Sequence, residues 1–255
     1  MPDKLRVGSL FSGIGGLELG LEWTGHFETV WQVELDKFAR KILAKHWPDV
    51  PRHDDVCTFP PSNFDWSCDV ICGGFPCQDL SYAGKGAGLD GKRSGLFYEL
   101  VRVVRVLEPR YVVLENVAAL LNRGMGDVIG TLASVGYDCQ WHCIPAAAVG
   151  APHRRDRVFI LADADSLKRQ RSRQKPFSDQ SDLSRKLGRS CSRLSKQWAV
   201  EPKLDRVANG VPSRVDRLRC LGNAVVPQVA QVVGEILWSI HNGQHEPQQG
   251  QTRRT

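Results

Sequence analysis

Apolar positions along the chain fall into short continuous runs separated by segments of helical period. Leu5 to Leu10, Glu28 to Val33, Asp69 to Cys72 and Tyr111 to Val117 are runs of the length and composition of buried strands. Between them, Leu17, Leu19 and Leu21 open a helical pattern and Lys37 to Trp47 is amphipathic. Leu96 to Leu107 carries apolar residues at 96, 97, 100, 101, 104 and 107. Val50 to Cys57 reads as a short strand and turn, Met125 to Val135 as a helix, and Tyr137 to Ile144 as an alternating strand. A loop, Pro145 to Pro152, leads into a strand over His153 to Ala162, where alternation puts Arg155 and Arg157 on one face and Val158, Ile160 and Ala162 on the other. This alternation of strand and helix predicts an α/β fold, a doubly wound and mostly parallel sheet with helices on both faces. Such sheets bind ligands beyond the carboxyl ends of their strands.

The periodicity lapses over 164–213, where Ser, Lys, Arg and Gln dominate and too few apolar residues remain to build a core. It returns with a short helix from Arg214, a Gly222-Asn223 turn, and a last helix from Pro227 to Ile240. The expected organisation is one domain made of 1–163 and 214–243, a small insert over 164–213, and a disordered tail over 244–255. Charge sharpens this division. Residues 165–219 hold fifteen Lys/Arg against six Asp/Glu, so the net +6 of the whole chain leaves the remaining residues at −3. A slightly acidic body with one basic segment calls for a nucleic-acid partner. No run is long and apolar enough to suggest a membrane span, and the expectation is a cytoplasmic, monomeric protein. The eight cysteines contain no Cys-x-x-Cys pair, so the spacing offers neither a zinc ribbon nor a redox pair, and no metal is expected.

Four strand ends carry candidate chemistry. The run to Cys72 breaks at Gly73-Gly74, where backbone freedom is expected, and Phe75-Pro76-Cys77-Gln78-Asp79-Leu80-Ser81 then presents a thiol beside a φ-fixing proline. The stretch from Tyr82 to Gly95 has five glycines and reads as a lid. Tyr111 to Val117 ends in Glu115-Asn116, and burial would raise the pKa of such a carboxyl, which suits a proton donor. The first strand runs into Phe11-Ser-Gly-Ile-Gly-Gly16, a turn that lets a ligand approach the backbone, and the second ends in Glu34, where a carboxylate can accept from a ribose diol. Glu18 occupies the place of the third glycine of a dinucleotide fingerprint, which weighs against a nicotinamide site.

Pro76-Cys77-Gln78-x-x-Ser81, Phe11-x-Gly13-x-Gly15-Gly16, Val33-Glu34, Glu115-Asn116-Val117, Arg155-x-Arg157 and Gly222-Asn223-x-x-x-Pro227 stand in the order seen in the DNA cytosine-5 methyltransferases, which the chain resembles over about 5–163 and 214–240. The resemblance implies a Rossmann-like fold, S-adenosylmethionine as cofactor and double-stranded DNA as substrate. Cys77 would be the nucleophile at cytosine C6 of a flipped-out base, Glu115 the acid at N3, and Arg157 and Arg155 would orient the base. Phe11, Ser12, Gly13, Gly15, Gly16, Glu34, Asp55, Pro76 and Asn223 would hold the cofactor, with Asp54 competing with Asp55 for the adenine. Gln78, Ser81, Lys85 and Arg93 would touch DNA, as would Arg169, Arg171 and Arg173 of the basic segment, with base reading around Trp198 to Val211. His153 stands where the family has Gln. The resemblance also implies a role in restriction–modification or in phage or host protection, with a cognate endonuclease acting on the same site. An RNA cytosine methyltransferase would share the thiol chemistry. A nicotinamide oxidoreductase would share the fold but leave Pro-Cys-Gln and Glu-Asn-Val unexplained, and a non-catalytic DNA-binding module would have no use for these side chains.

Overall fold

The computed structural model describes residues 3–62, 66–76, 95–164 and 212–242. Seven strands form one sheet: β1 (Leu5–Leu10), β2 (Phe27–Val33), β3 (Arg52–His53), β4 (Val70–Gly74), β5 (Tyr111–Val117), β6 (Asp138–Pro145) and β7 (Asp156–Asp163), in the order β3-β2-β1-β4-β5-β7-β6. All pair in parallel except β7, which runs antiparallel between β5 and β6. The chain builds outward from β1 to β3 and then returns to start β4 on the other side of β1. The carboxyl ends of β1 and β4 therefore diverge at a switch point, the crevice where open α/β sheets bind ligands.

Both faces of the sheet are covered, which is why its central strands read as continuous apolar runs. On one face, α3 (Gly95–Leu107) and α4 (Met125–Ser134) pack Phe97, Leu100, Val104, Val128 and Leu132 against Ile71, Val112, Leu114 and Ile160. On the other, α1 (Gly16–Glu22) and α6 (Pro227–Asn242) pack Leu17, Leu21, Val229, Val233 and Ile236 against Val7, Val70, Val113 and Phe159. The helix α2 (Lys37–His46) is started by Asp36, whose Oδ1 accepts from the amides of Phe38 and Ala39 at 2.8 and 2.9 Å. The span Arg214–Asn242 is long and apolar enough by composition to cross a membrane. It is broken at Ala224 (ψ 141°) into α5 (Arg214–Asn223) and α6, and the apolar face of α6 is spent on α1.

Three local expectations are corrected. The last strand begins at Asp156 rather than His153, because its ladder with β6 ends at the Pro145–Asp156 pair, and the Arg154 carbonyl before it accepts instead from the Ala146 amide, past the end of β6. Gly222 and Asn223 form the final turn of α5 rather than a separate turn. Neither Gly73 nor Gly74 adopts positive φ. Crowding forbids a side chain at Gly73, where a Cβ would lie 2.4 Å from the Leu10 carbonyl oxygen, and at Gly74 a Cβ, 2.9 Å from Glu115 Oε2, would displace that carboxylate. The disordered tail expected over 244–255 lies outside the described residues.

Candidate active site

A cleft of about 400 Å³ opens at the switch point. That is within the range of small-molecule sites. One wall is the turn after β1. Phe11, Gly13 and Gly15 all take left-handed backbone angles, with φ of 55, 56 and 85°. This conformation is uncommon for a residue with a Cβ, so Phe11 is held there by its surroundings. The Ser12 amide is fixed to the Val33 carbonyl at 3.2 Å and the Ser12 hydroxyl to that of Ser9 at 2.9 Å. A Cβ on Gly13 would meet nothing within 4 Å, so the backbone there faces open space.

The second wall is the end of β2. Glu34 Oε2 accepts from the Gly13 amide and Oε1 from the Asp36 amide, both at 2.7 Å. The carboxylate is thus oriented from both sides, and each oxygen keeps acceptor capacity toward the cleft. Asp54 and Asp55 also line it. Asp54 forms an ion pair with Arg40, while Asp55 Oδ1 accepts from the Cys57 amide at 2.9 Å. Pro76 and Asn223 close the lining, so Phe11, Ser12, Gly13, Gly16, Glu34, Asp55, Pro76 and Asn223 all border one space. Gly15 stands behind it, against the ring of Trp47. The apolar surfaces of Phe11, Leu35 and Val56 beside the oriented Glu34 carboxylate combine stacking surface with hydrogen-bond acceptors, a lining that fits an adenosine.

The third wall carries Glu115. It is 7% exposed at the end of β5, opposite Gly74, with Arg157 Nε in ion-pair contact 2.9 Å from Oε1. Burial pushes its pKa up, and Arg157, with Arg155 behind it, pulls the other way. Asn116 donates from Nδ2 to the Phe75 carbonyl at 3.2 Å and accepts from the Val117 amide at 2.8 Å. That ties the segment entering the Cys77 loop to the strand bearing Glu115, a positioning role unread in the sequence because it links residues forty-one apart.

Arg155 departs from expectation. It precedes β7 with φ 36°, so it does not share a strand face with Arg157, and its Nη2 donates to the carbonyls of Gly222 and Ala224 at 2.7 and 2.5 Å. Helix ends leave such carbonyls without partners, and Arg155 supplies one. Cys77, Gln78, Ser81, Lys85, Arg93, Arg169, Arg171 and Arg173 lie outside the described residues, as do the lid up to residue 94 and Trp198 to Val211.

Beneath the cleft, Glu18 is fully buried. Its oxygens have no aligned hydrogen-bond partner, although the Ser9 and Ser12 hydroxyls beside it partly offset the burial, and its pKa is raised to about 7. Arg219 of α5, to which the sequence pattern assigns no role, reaches the cleft and forms an ion pair with Asp36. No spacing rule could have joined two residues so far apart.

Comparison with known proteins identifies the family. The profile of the family described as C-5 cytosine-specific DNA methylase matches residues 5–203. The chain belongs to that family. Among its relatives, the type II methyltransferase M2.BsuMI of Bacillus subtilis is 40% identical over 226 residues, 86% of this chain and 50% of its own length. The type II methyltransferase M.CviJI of Paramecium bursaria Chlorella virus IL3A is 37% identical over 160 residues, 62% of this chain and 43% of its own. The chain thus spans half or less of the length of these relatives. The Entamoeba histolytica methyltransferase EhMeth superposes with a TM-score of 0.68 at 15% identity, over 94% of this chain and 99% of its own. Schizosaccharomyces pombe Dnmt2 gives 0.58 at 21% identity, over 72% and 54%. Both carry the Rossmann-like fold of methyltransferases, and so does this chain.

Proposed function

We propose that the chain transfers a methyl group from S-adenosylmethionine to C5 of cytosine in double-stranded DNA. The observation that carries this reading is the opening of two sites into one cleft: the Glu34–glycine-turn wall suited to an adenosine, and the buried Glu115–Arg157 pair beside Pro76. An isolated cofactor pocket would serve any methyl acceptor. A buried carboxyl with a raised pKa, bordering the same cleft as Pro76, is suited to an electron-poor pyrimidine.

Cytosine C5 is a weak nucleophile. The Cys77 thiolate adds to C6, forming an S–C6 bond and moving the C5=C6 electron pair toward C5, while Glu115 gives or shares its proton at N3. Burial readies Glu115 for that role, and Arg157 limits how far its pKa climbs and orients its oxygens. When bound, S-adenosylmethionine supplies the electrophilic methyl group that C5 takes. A base then removes the C5 proton, the electron pair restores C5=C6, and the thiolate leaves. Asn116 holds the loop entrance so that Cys77 and Glu115 address one ring, which must first leave the duplex.

The family setting supports a modification role within a restriction–modification system, acting wherever the cell keeps its DNA, and we propose that the chain works as a monomer. Incubation with labelled S-adenosylmethionine and duplex DNA, with transfer RNA in parallel, tests the reading. Label should enter the DNA alone, and bisulfite sequencing should place it at C5 of cytosines in one recurring sequence. Label in the RNA alone would overturn the assigned substrate.

A further inference from the structure

We propose that Arg219 is a positioning residue of the cofactor cleft: its ion pair with Asp36 latches α5 across the cleft mouth, and cofactor exchange requires that pair to open. The inference rests on the cofactor reading above. It starts from an oddity of α5, which contributes Arg219 and Asn223 to the cleft wall yet has no buried residue of its own. A wall without a buried anchor depends on its polar contacts. Among the described residues these include Arg155 on the Gly222 and Ala224 carbonyls at one end and Arg219 on Asp36 in the body of the helix.

The latch stands between two spaces. Beyond it lies a second, more open depression of about 660 Å³, which includes Lys41, Ser213 and Asp216. The residues common to both spaces are Glu34, Leu35, Asp36 and Arg219. Parting Asp36 from Arg219 therefore joins the cleft to the outer depression and makes a route out. The partners are suited to this. Arg219 is 54% exposed, so the pair is screened and weak enough to break often. Asp216, one turn back at 3.0 Å, keeps the guanidinium paired when Asp36 is released. Asp36 keeps its α2 amides on Oδ1, and its own amide still holds Glu34 Oε1.

Dissociation of S-adenosylmethionine, followed by rapid-mixing displacement, tests the latch. Arg219→Gln and Asp36→Asn, the latter retaining an acceptor for the α2 amides, should each speed release about two- to five-fold, the range of an exposed ion pair. The double variant should be no faster than either single one, and added salt should speed release from the natural protein but not from Arg219→Gln. Arg217→Gln, which removes the same charge from α5 outside the cleft, should release at the natural rate. Unchanged release in both variants, multiplying effects in the double, or an equal effect of Arg217→Gln would overturn the latch while leaving the cofactor reading intact. A natural protein that binds no S-adenosylmethionine would overturn the cofactor reading, and the latch with it.

Discussion

Glu115 and Glu18 are two buried carboxyls with different employment. Glu115 opens on the cleft and has Arg157 against it, so its raised pKa serves a proton that moves. Glu115→Gln keeps the shape but cannot donate a proton to N3. Single-turnover methyl transfer should fall by roughly two or more orders of magnitude with cofactor affinity unchanged, whereas equal losses in both would mark a structural residue. Glu18 also borders the cleft but has no arginine against it, and its burial costs stability. Its pKa rises from 4.5 to about 7 on folding, so the folded protein binds the extra proton between those values. Stability therefore declines as pH rises through that window and reaches its full deficit above about 7, an order-of-magnitude penalty of about 3 kcal/mol. Thermal unfolding of Glu18→Gln should show a higher midpoint than the natural protein at pH 8 and little difference at pH 4. An unchanged gap between the two across pH would refute the burial argument. The position of Glu18 was legible in the sequence as a broken fingerprint. Its burial was not, because it depends on β1 and β4 closing over it.

At the scale of elements, the strands and helices followed the apolar pattern closely: β1 and β5 have the expected bounds, and the helices differ from expectation by a residue or two. Periodicity reports burial, and burial is what fixes these elements. The failures occur where partners decide. The start of β7 is set by the end of β6, and the fate of Arg155 by carbonyls left over at the end of α5. Arg155→Gln should therefore weaken cofactor binding and lower the unfolding midpoint while leaving the transfer rate at saturating cofactor within about three-fold. These outcomes follow if the side chain is worth one or two charge-assisted hydrogen bonds to the wall. A collapse of the transfer rate with binding preserved would return Arg155 to the substrate. That ligands would bind at the carboxyl ends of the strands was readable in advance, since the loaded loops follow them, whereas the strand order that puts the switch point between β1 and β4 was not. The Arg219–Asp36 and Asn116–Phe75 links were not, because each joins residues that no local pattern relates.

The whole molecule divides its charge between a body at −3 and the basic stretch 165–219. Phosphate contacts release counterions, so neutralising Arg169, Arg171 and Arg173 together should weaken binding to every duplex and flatten the salt dependence by about 0.9 for each phosphate that these side chains neutralise, with the methylated sequence unchanged. Altered sequence preference at constant salt slope would make these residues base readers instead. All of this presumes that the cleft serves a covalent attack on cytosine, and one measurement reaches that directly. Duplex DNA built with 5-fluorocytosine in place of cytosine, mixed with the protein and S-adenosylmethionine, cannot complete the final elimination, because C5 carries fluorine where a proton should leave. A denaturant-resistant protein–DNA complex should accumulate, peptide mapping should place the bond at Cys77, and Cys77→Ser should abolish it. A complex joined through any other cysteine, or methyl transfer to ordinary duplex DNA without any trapped complex on the fluorinated one, would contradict the account.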